Sequence, residues 1–305
     1  MRQYTRAAIQ FLQSDGRRVA YDASVTGELI GETEGRHPRS YRVVVLTREN
    51  DTTALLANYL AQRFDEVITV VERPESRFRV ARRRAKRIGW VRVGGQLAFV
   101  ALIISVLSRR GRSRVAALLA SVDVASNSVP LRHVESVNAA ATREMLRQLK
   151  PNVVVVQGTR IISSAVLDAI DCPFVNLHAG ITPRYRGLHG AYWALSEGRP
   201  DLVGTTVHVV DSGIDTGTVL GRAYFSAEPE DSIATYPYLG LLKGLPVLAD
   251  QVERLLAGGP NGLGPPQVYG ASCDPAAALT GGDSRLWSHP TLWGYLDHRI
   301  RSGLR

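Results

Sequence analysis

Residues 41–71, YRVVVLTRENDTTALLANYLAQRFDEVITVV, decide the fold. This stretch contains two β-branched runs, YRVVVL at 41–46 and EVITVV at 66–71, which are typical of buried strands. Between them, residues 50–53 (NDTT) offer an N-cap for a helix that extends to about Arg63. A strand, a helix and a strand in this order predict a parallel sheet with a right-handed crossover. We therefore expect an α/β protein with an open, mostly parallel sheet and helices on both faces.

The same pattern continues further along the chain. Residues 137–150 carry apolar side chains on one helical face. The runs VVVV at 153–156 and FVNL at 174–177 then predict a third and a fourth strand, and the third is the best candidate for the sheet centre. In open parallel sheets, ligands bind beyond the carboxyl ends of the strands. The functional site is therefore expected where the fourth strand ends.

The residues at the end of this strand have side chains suited to catalysis. Asn176 and His178 are two positions apart, so in a strand both side chains point to the same side and can converge on one atom. A glycine-rich acidic loop, Asp211–Gly217 (DSGIDTG), could bring a carboxylate to the imidazole. An amide, an imidazole and a carboxylate predict acyl transfer to an amine without a covalent enzyme intermediate.

Three motifs share their order and spacing with a known family. They are Asn176–His178 (NLH), Pro183–Gly187 (PRYRG) and the segment Gly204–His208 (GTTVH), which runs into Asp211–Gly217. Together they resemble the formyltransferases that use 10-formyltetrahydrofolate. This family includes the glycinamide ribonucleotide, methionyl-tRNA and sugar N-formyltransferases. Each motif alone is a weak signal, whereas their combination is specific.

The resemblance implies a domain organisation. It covers roughly residues 41–225, which would form a Rossmann-like catalytic domain with the formyltransferase fold. A basic and apolar helical insertion would interrupt this domain at about residues 74–114. Residues 1–40 would form an N-terminal extension, and residues 226–305 a C-terminal helix and an irregular tail.

The resemblance also implies catalytic roles. An uncharged amine would attack the formyl carbon of the folate while an oxyanion develops. Asn176 and protonated His178 would donate hydrogen bonds to this oxyanion, which could contribute roughly 3 to 4 kcal/mol. His178 would then protonate the departing N10 atom. Asp215, the matching carboxylate, would raise the pKa of His178 and take the proton of the attacking amine through water.

A folate pocket is implied by the same comparison. Its pterin ring would be bound by the backbone of four consecutive residues and closed in by the acidic loop, with these positions involved: Thr159, Arg160, Ile161, Ile162, Asp211 and Ile214. For His208 two alternatives stay open: a supporting role near the site and a buried, hydrogen-bonded structural role. No metal is expected, because the family needs none.

The acceptor is expected to be a small primary amine. Glycinamide ribonucleotide is disfavoured because residues 47–51 (TREND) carry two acids where a phosphate loop would lie. Initiator tRNA is disfavoured because residues 226–305 show no clear run of strands and little basic charge. A nucleotide-linked amino sugar is therefore the preferred acceptor. The alternatives are the amine of a secondary metabolite, hydrolysis of 10-formyltetrahydrofolate, and a catalytically inactive membrane-surface binding protein.

The positive charge of the chain is concentrated in one segment. The net charge is +9, and residues 73–114 contain 13 basic residues and one acidic residue. This segment also contains an apolar run of about eleven residues, Leu97–Leu107. The preferred interpretation is a helix packed on the sheet with solvated basic ends. The main alternative is peripheral membrane contact through residues 82–114, and a nucleic-acid partner is not expected because aromatic residues are sparse.

Composition also bears on localisation. The two cysteines, Cys172 and Cys273, provide no disulfide framework, and residues 1–12 lack the apolar core of a signal peptide. No run reaches the roughly 18 apolar residues expected of a spanning helix. We expect a cytoplasmic protein, with membrane association left open. A homodimer formed through the C-terminal tail is a further alternative.

Overall fold

An eight-stranded sheet forms the centre of the protein. The computed structural model describes residues 41–122, 124, 129–258, 265–277, 279 and 284–302, and the expected N-terminal extension at 1–40 lies outside them. The strands are β1 (Arg42–Arg48), β2 (Glu66–Glu72), β3 (Leu131–Val134), β4 (Val153–Gln157), β5 (Phe174–His178), β6 (Tyr185–Gly187), β7 (Gly204–Val209), β8 (Val219–Tyr224), β9 (Gln267–Tyr269) and β10 (Arg285–Trp287). The order in the large sheet is β3-β2-β1-β4-β5-β7-β8-β9.

Most neighbouring strands in this sheet are parallel. β3, β2, β1, β4 and β5 run in one direction, whereas β7 pairs antiparallel with β5 and with β8. β9 then pairs parallel with β8 at the edge. The prediction of an open, mostly parallel α/β sheet is therefore confirmed.

Helices cover both faces of the sheet. They are α1 (Thr53–Ala61), α2 (Arg77–Ile88), α3 (Trp90–Arg110), α4 (Arg112–Ala120), α5 (Ala140–Leu149), α6 (Ser164–Leu167), α7 (Gly190–Ser196), α8 (Tyr236–Gly258) and α9 (Leu292–Ser302). Helices α1 and α8 pack on one face, and α5 and α6 pack on the other. The continuous helix α3 contains a π-helical segment, Phe99–Ile104.

The two cores explain why the strands are apolar at every position. In β1, Val43 and Val45 belong to the core under α1 and α8, whereas Val44 and Leu46 belong to the core under α5. Successive side chains in a strand point to opposite faces, so a strand that is covered on both sides needs an uninterrupted apolar run. Each such side chain contributes about 1.5 to 3 kcal/mol on burial.

The C-terminal region is more ordered than its sequence indicated. Two three-residue strands occur where an irregular tail was expected: β9 extends the large sheet, and β10 pairs with β6 in a separate small sheet. Asp274 also forms a largely buried ion pair with Arg222 of β8, with 2.5 Å between oxygen and nitrogen. Strands this short show no alternation in the sequence, because their partners rather than their own pattern determine them. The described residues belong to one compact unit.

Helix α3 is longer than the apolar run that predicted it. It has 21 residues and is the one helix in the described part of the chain that is long and apolar enough to cross a membrane, judged by length and composition alone. Arg92, Gln96 and Ser105 interrupt its apolar residues, so no uninterrupted apolar run of spanning length is present, but the helix itself extends beyond Leu97–Leu107. One side of α3 packs on the domain through Phe99, which is fully buried.

Candidate active site

The end of β5 places two polar side chains on one side of the sheet. Asn176 and His178 share this side, whereas Val175 and Leu177 point into the core under α8. The antiparallel strand β7 lies beside β5 and pairs His208 with Asn176. Strand alternation and this register therefore bring an amide and two imidazoles together.

The loop after β7 places the carboxylate of Asp215 next to both imidazoles. Asp215 lies 3.5 Å from His178, measured from Oδ2 to Nδ1, and 3.6 Å from His208, measured from Oδ1 to Nε2. The backbone amide of Gly187 donates a hydrogen bond to Oδ2 over 2.9 Å, and Nδ2 of Asn176 donates to Oδ1 over 3.3 Å. Asp215 has a left-handed backbone, with φ of 52°, which turns its side chain towards these partners.

The pKa of Asp215 indicates an ionised group. Burial alone would raise it, but the neighbouring imidazoles of His208 and His178 and the hydrogen bond from the amide of Gly187 outweigh burial and lower the pKa to about 2. The carboxylate therefore carries its charge at neutral pH.

His178 differs from the sequence-based expectation. Burial lowers the pKa of this histidine, and the opposing effects of Asp215 and of the Tyr185 carbonyl do not compensate for it. Its Nε2 atom lies 2.8 Å from the carbonyl oxygen of Tyr185, so the neutral ring carries its proton on Nε2 and donates it there. Asp215 does raise the pKa of His178, as expected, but burial has the larger and opposite effect because the ring is only 6% exposed.

His208 is buried and forms a hydrogen bond with the side-chain amide of Asn176. Its Nδ1 atom lies 2.8 Å from the carbonyl oxygen of Val209, which makes Nδ1 the donor and leaves Nε2 to accept. The Nδ2 atom of Asn176 lies 3.1 Å from this Nε2 atom. His208 thus contacts the site and is also hydrogen-bonded, so both roles that were left open agree with its position.

The loop after β4 is held in place by hydrogen bonds from residues of neighbouring segments. Asn138 donates to the carbonyl of Ile161 over 2.9 Å and accepts from the amide of Ser163 over 2.8 Å. The amide of Arg160 donates to the buried carboxylate of Glu72 over 3.1 Å, and the side chain of Arg160 also turns towards Glu72. This loop presents backbone and apolar side chains to the cleft, not the guanidinium.

All of the residues predicted for the site line one cleft of about 640 Å³. They are Asn176, His178, His208, Asp215, Thr159, Arg160, Ile161, Ile162, Asp211 and Ile214. Their placement together is an observation, and their roles in binding and catalysis stay predictions. Among the described residues, no group of three or more His, Cys, Asp or Glu side chains could hold a metal ion.

Two groups of lining residues were missed from the sequence. Arg84 and Arg87 of α2 and Arg92 of α3 line one wall, and Leu286 and Trp287 of β10 line another. The charged segment was recognised in the sequence as one that could meet a phosphate group, but which of its arginines lie at the cleft follows only from the packing of α2 and α3. Strand β10 could not be recognised in the sequence, because the strand with which it pairs, β6, is about a hundred residues earlier.

Comparisons with known proteins give relatives by sequence. The chain is 33% identical over 135 residues to a methionyl-tRNA formyltransferase from Pelobacter propionicus, which covers 44% of this chain and 42% of that protein. It is 32% identical over 168 residues to a methionyl-tRNA formyltransferase from Anaeromyxobacter dehalogenans, covering 54% and 52%. The chain thus spans about half or less of the length of these curated relatives.

Two solved structures are also similar. Glycinamide ribonucleotide transformylase 1 from Symbiobacterium toebii has a TM-score of 0.49 and 17% identity, with 74% of this chain and 92% of that chain covered. A sugar N-formyltransferase from a Shewanella species has a TM-score of 0.43 and 16% identity, with 71% and 70% covered. The family model described as formyl transferase matches residues 41–238. This chain therefore belongs to the formyl transferase family.

Proposed function

We propose that the protein transfers a formyl group from 10-formyltetrahydrofolate to a primary amine. The observation that carries this proposal is that Asn176 and His178 both contact Asp215 in the wall of a cleft. A carboxamide donor, a buried neutral imidazole and an ionised carboxylate are the groups that amide-forming acyl transfer needs. The cleft also has the volume of a small-molecule site, since such sites measure about 300 to 1,000 Å³.

His178 is suited to move one proton. In the neutral ring, Nε2 donates to the Tyr185 carbonyl, so Nδ1 is free of a proton and can accept one from the attacking amine. The imidazolium that forms is stabilised by the carboxylate of Asp215, 3.5 Å away. It then gives this proton to N10 as the bond between N10 and the formyl carbon breaks. The amine loses one proton and tetrahydrofolate gains one, so the step balances.

Asn176 is suited to stabilise the oxyanion after one change of partner. Its two amide hydrogens are directed to His208 and to Asp215, over 3.1 and 3.3 Å. The contact with Asp215 is the longer one, and a substrate oxygen that carries negative charge would compete for it. Active-site hydrogen bonds commonly tighten only when substrate is bound.

The loop after β4 is suited to bind a flat heteroaromatic ring. Ile161 is largely exposed on the cleft side, whereas Ile162 is buried beneath it, so an apolar wall stands next to backbone polar groups. Backbone groups bind a ring by shape and hydrogen bonding without requiring particular side chains. These features support 10-formyltetrahydrofolate as the formyl donor.

The acceptor in this proposal carries phosphate. Arg84, Arg87 and Arg92 lie on the cleft wall, and guanidinium groups bind phosphate oxygens well. A nucleotide-linked amino sugar, the acceptor preferred from the sequence, would meet this requirement.

A transfer assay tests the proposal. Purified protein is incubated with 10-formyltetrahydrofolate and a panel of amino-sugar nucleotides and simple amines, and tetrahydrofolate, formylated amine and formate are measured separately. Amine-dependent tetrahydrofolate formation is expected, with His178→Gln inactive and His133→Gln, a change at an exposed histidine on β3, fully active.

Two results would contradict it. Formate release that does not depend on an amine would instead assign hydrolysis of 10-formyltetrahydrofolate to the same residues. A His178→Gln protein with normal transfer would show that the imidazole does not move the proton.

A further inference from the structure

An extended apolar surface lies next to the cleft. It consists of exposed side chains on the outer side of α3 and on α9, hereafter the apolar face: Trp90, Val91, Leu97, Leu102, Val106, Trp293, Leu296 and Ile300. Val91 is 81% exposed and Ile300 is 84% exposed. Contiguous apolar surface of this kind marks an interaction site in soluble proteins.

The opposite side of α3 is firmly attached to the domain. Gln96 donates to the carbonyl of His289 over 2.8 Å and to the hydroxyl of Ser288 over 3.1 Å. Phe99 is buried with its ring centre 5.3 Å from that of Tyr295. A spanning helix would be surrounded by lipid or other membrane helices, whereas one side of α3 is buried against the domain through Val93, Gln96 and Phe99. Its geometry is that of a helix lying in the plane of a membrane surface.

The charges around the apolar face indicate what covers it. Basic residues stand at both ends of α3, in the following positions: Lys86, Arg87, Arg92, Arg109, Arg110 and Arg112. Two copies of this face would bring like charges together, which disfavours self-association. An anionic lipid surface complements both the charge and the apolar side chains.

The apolar face continues into the cleft through an aromatic groove. This groove of about 550 Å³ is lined by all four tryptophans of the chain, Trp90, Trp193, Trp287 and Trp293. Trp287 and Arg92 line both the groove and the cleft. Tryptophan is enriched at membrane–water interfaces because its ring is apolar and its N–H is polar. A molecule anchored in lipid could therefore extend along the groove into the site.

We propose that the apolar face docks on an anionic lipid bilayer and holds the mouth of the cleft at its surface. The acceptor is then an amine joined through phosphate to a lipid, not to a nucleoside. This second part rests on the proposed formyl transfer, whereas the docking does not.

Vesicle co-sedimentation of the full chain tests the docking. The protein is expected to bind vesicles of phosphatidylcholine with phosphatidylglycerol and not vesicles of phosphatidylcholine alone. The double variant Leu97→Asp with Leu102→Asp should abolish binding, whereas Leu131→Asp, the same change at an exposed leucine of β3, should not. Arg109→Gln and Arg110→Gln should each weaken binding about fivefold, since a basic residue near an anionic surface contributes about 1 kcal/mol.

Several results would overturn the docking. One is that the protein does not bind anionic vesicles. Another is that the double variant Leu97→Asp with Leu102→Asp binds them as well as the unmodified protein does. A dimer in solution that this double variant dissociates, without vesicle binding, would assign the apolar face to a second copy of the chain. Circular dichroism of each variant shows that the fold is retained.

A second arm tests the acceptor and separates the two proposals. The same amino sugar is offered as a lipid-linked phosphate in anionic vesicles and as a nucleotide in solution. Faster transfer to the lipid-linked form is expected, and the double variant should lower this preference. Transfer to the soluble form alone would overturn the lipid-linked acceptor and leave the proposed function intact. Vesicle binding without transfer to either form would overturn the proposed function and leave the docking intact.

Discussion

Removing the charge of Asp215 should have an effect on stability that depends on pH. The substitution Asp215→Asn keeps the size of the side chain, and asparagine tolerates the left-handed backbone found at this position. It removes the carboxylate that lies between His178 and His208 and accepts from the amide of Gly187. These contacts lower the pKa of Asp215 in the folded protein.

The size of the effect follows from that pKa. Folding lowers it from an ordinary value of 3.8 to about 2, which corresponds to about 2 kcal/mol of folding free energy at neutral pH. Because the folded-state pKa is the lower one, this contribution is present above pH 4 and is lost as the pH falls towards 2. Roughly half of it should remain at pH 3. Only 14% of the side chain is exposed, so solvent screening is limited.

Urea unfolding of the wild-type and Asp215→Asn proteins between pH 7 and pH 3 measures this contribution. Titrating groups that do not contact Asp215 cancel in the difference between the two free energies of unfolding, whereas His178 does not, because Asp215 raises its pKa. That difference should shrink by about 1 kcal/mol between pH 7 and pH 3. Asp168→Asn, which removes an exposed charge elsewhere, is the control: it measures how the loss of one carboxylate charge changes the free energy of unfolding in general. A difference that stays constant over this pH range would refute the reasoning.

Four further substitutions have expected outcomes. Gly95→Ala should destabilise the protein by about 1 to 3 kcal/mol in urea unfolding, because a Cβ there would overlap a tryptophan ring of α9. Gly94→Ala, with open space around it in the same helix, should instead stabilise by about 0.5 to 1 kcal/mol, and the opposite order would contradict the packing of α3 on α9. Asn176→Ala should lower kcat for formyl transfer about 100- to 1,000-fold with an unchanged Tm, and an unchanged kcat would remove Asn176 from the mechanism. Asp274→Ala should reduce the free energy of unfolding by about 3 to 5 kcal/mol, because it leaves the guanidinium of Arg222 buried without its carboxylate, and a loss below 1 kcal/mol would count against this ion pair.

Local pattern was sufficient for the long strands and for two residues of the candidate site. The runs at 41–46 and 174–177 correspond to β1 (Arg42–Arg48) and β5 (Phe174–His178), with ends that differ by one or two residues. A short uninterrupted run rich in β-branched residues favours a strand that is covered on both faces. Alternation along β5 then placed Asn176 and His178 on one side without any knowledge of the other strands.

Local pattern was not sufficient where a partner determines the structure. Strands β9 and β10 have three residues each and are held by β8 and β6. The arginines of α2 and α3 were recognised as a charged segment, but their place on the cleft wall depends on how the insertion packs. The sequence analysis considered only the carboxylate next to His178, which raises its pKa. Burial has the larger effect and lowers the pKa of this histidine.

The amino-acid sequence by itself determined the class of sheet, the pair of catalytic candidates on β5 and the family, because these depend on periodicity and on motifs with set spacing. Tertiary structure alone decided the neutral state of His178, the arginines on the cleft wall and the apolar face of α3 and α9. The physical reason is that desolvation, charge proximity and exposed area depend on which distant segments come into contact, and no local pattern records those contacts.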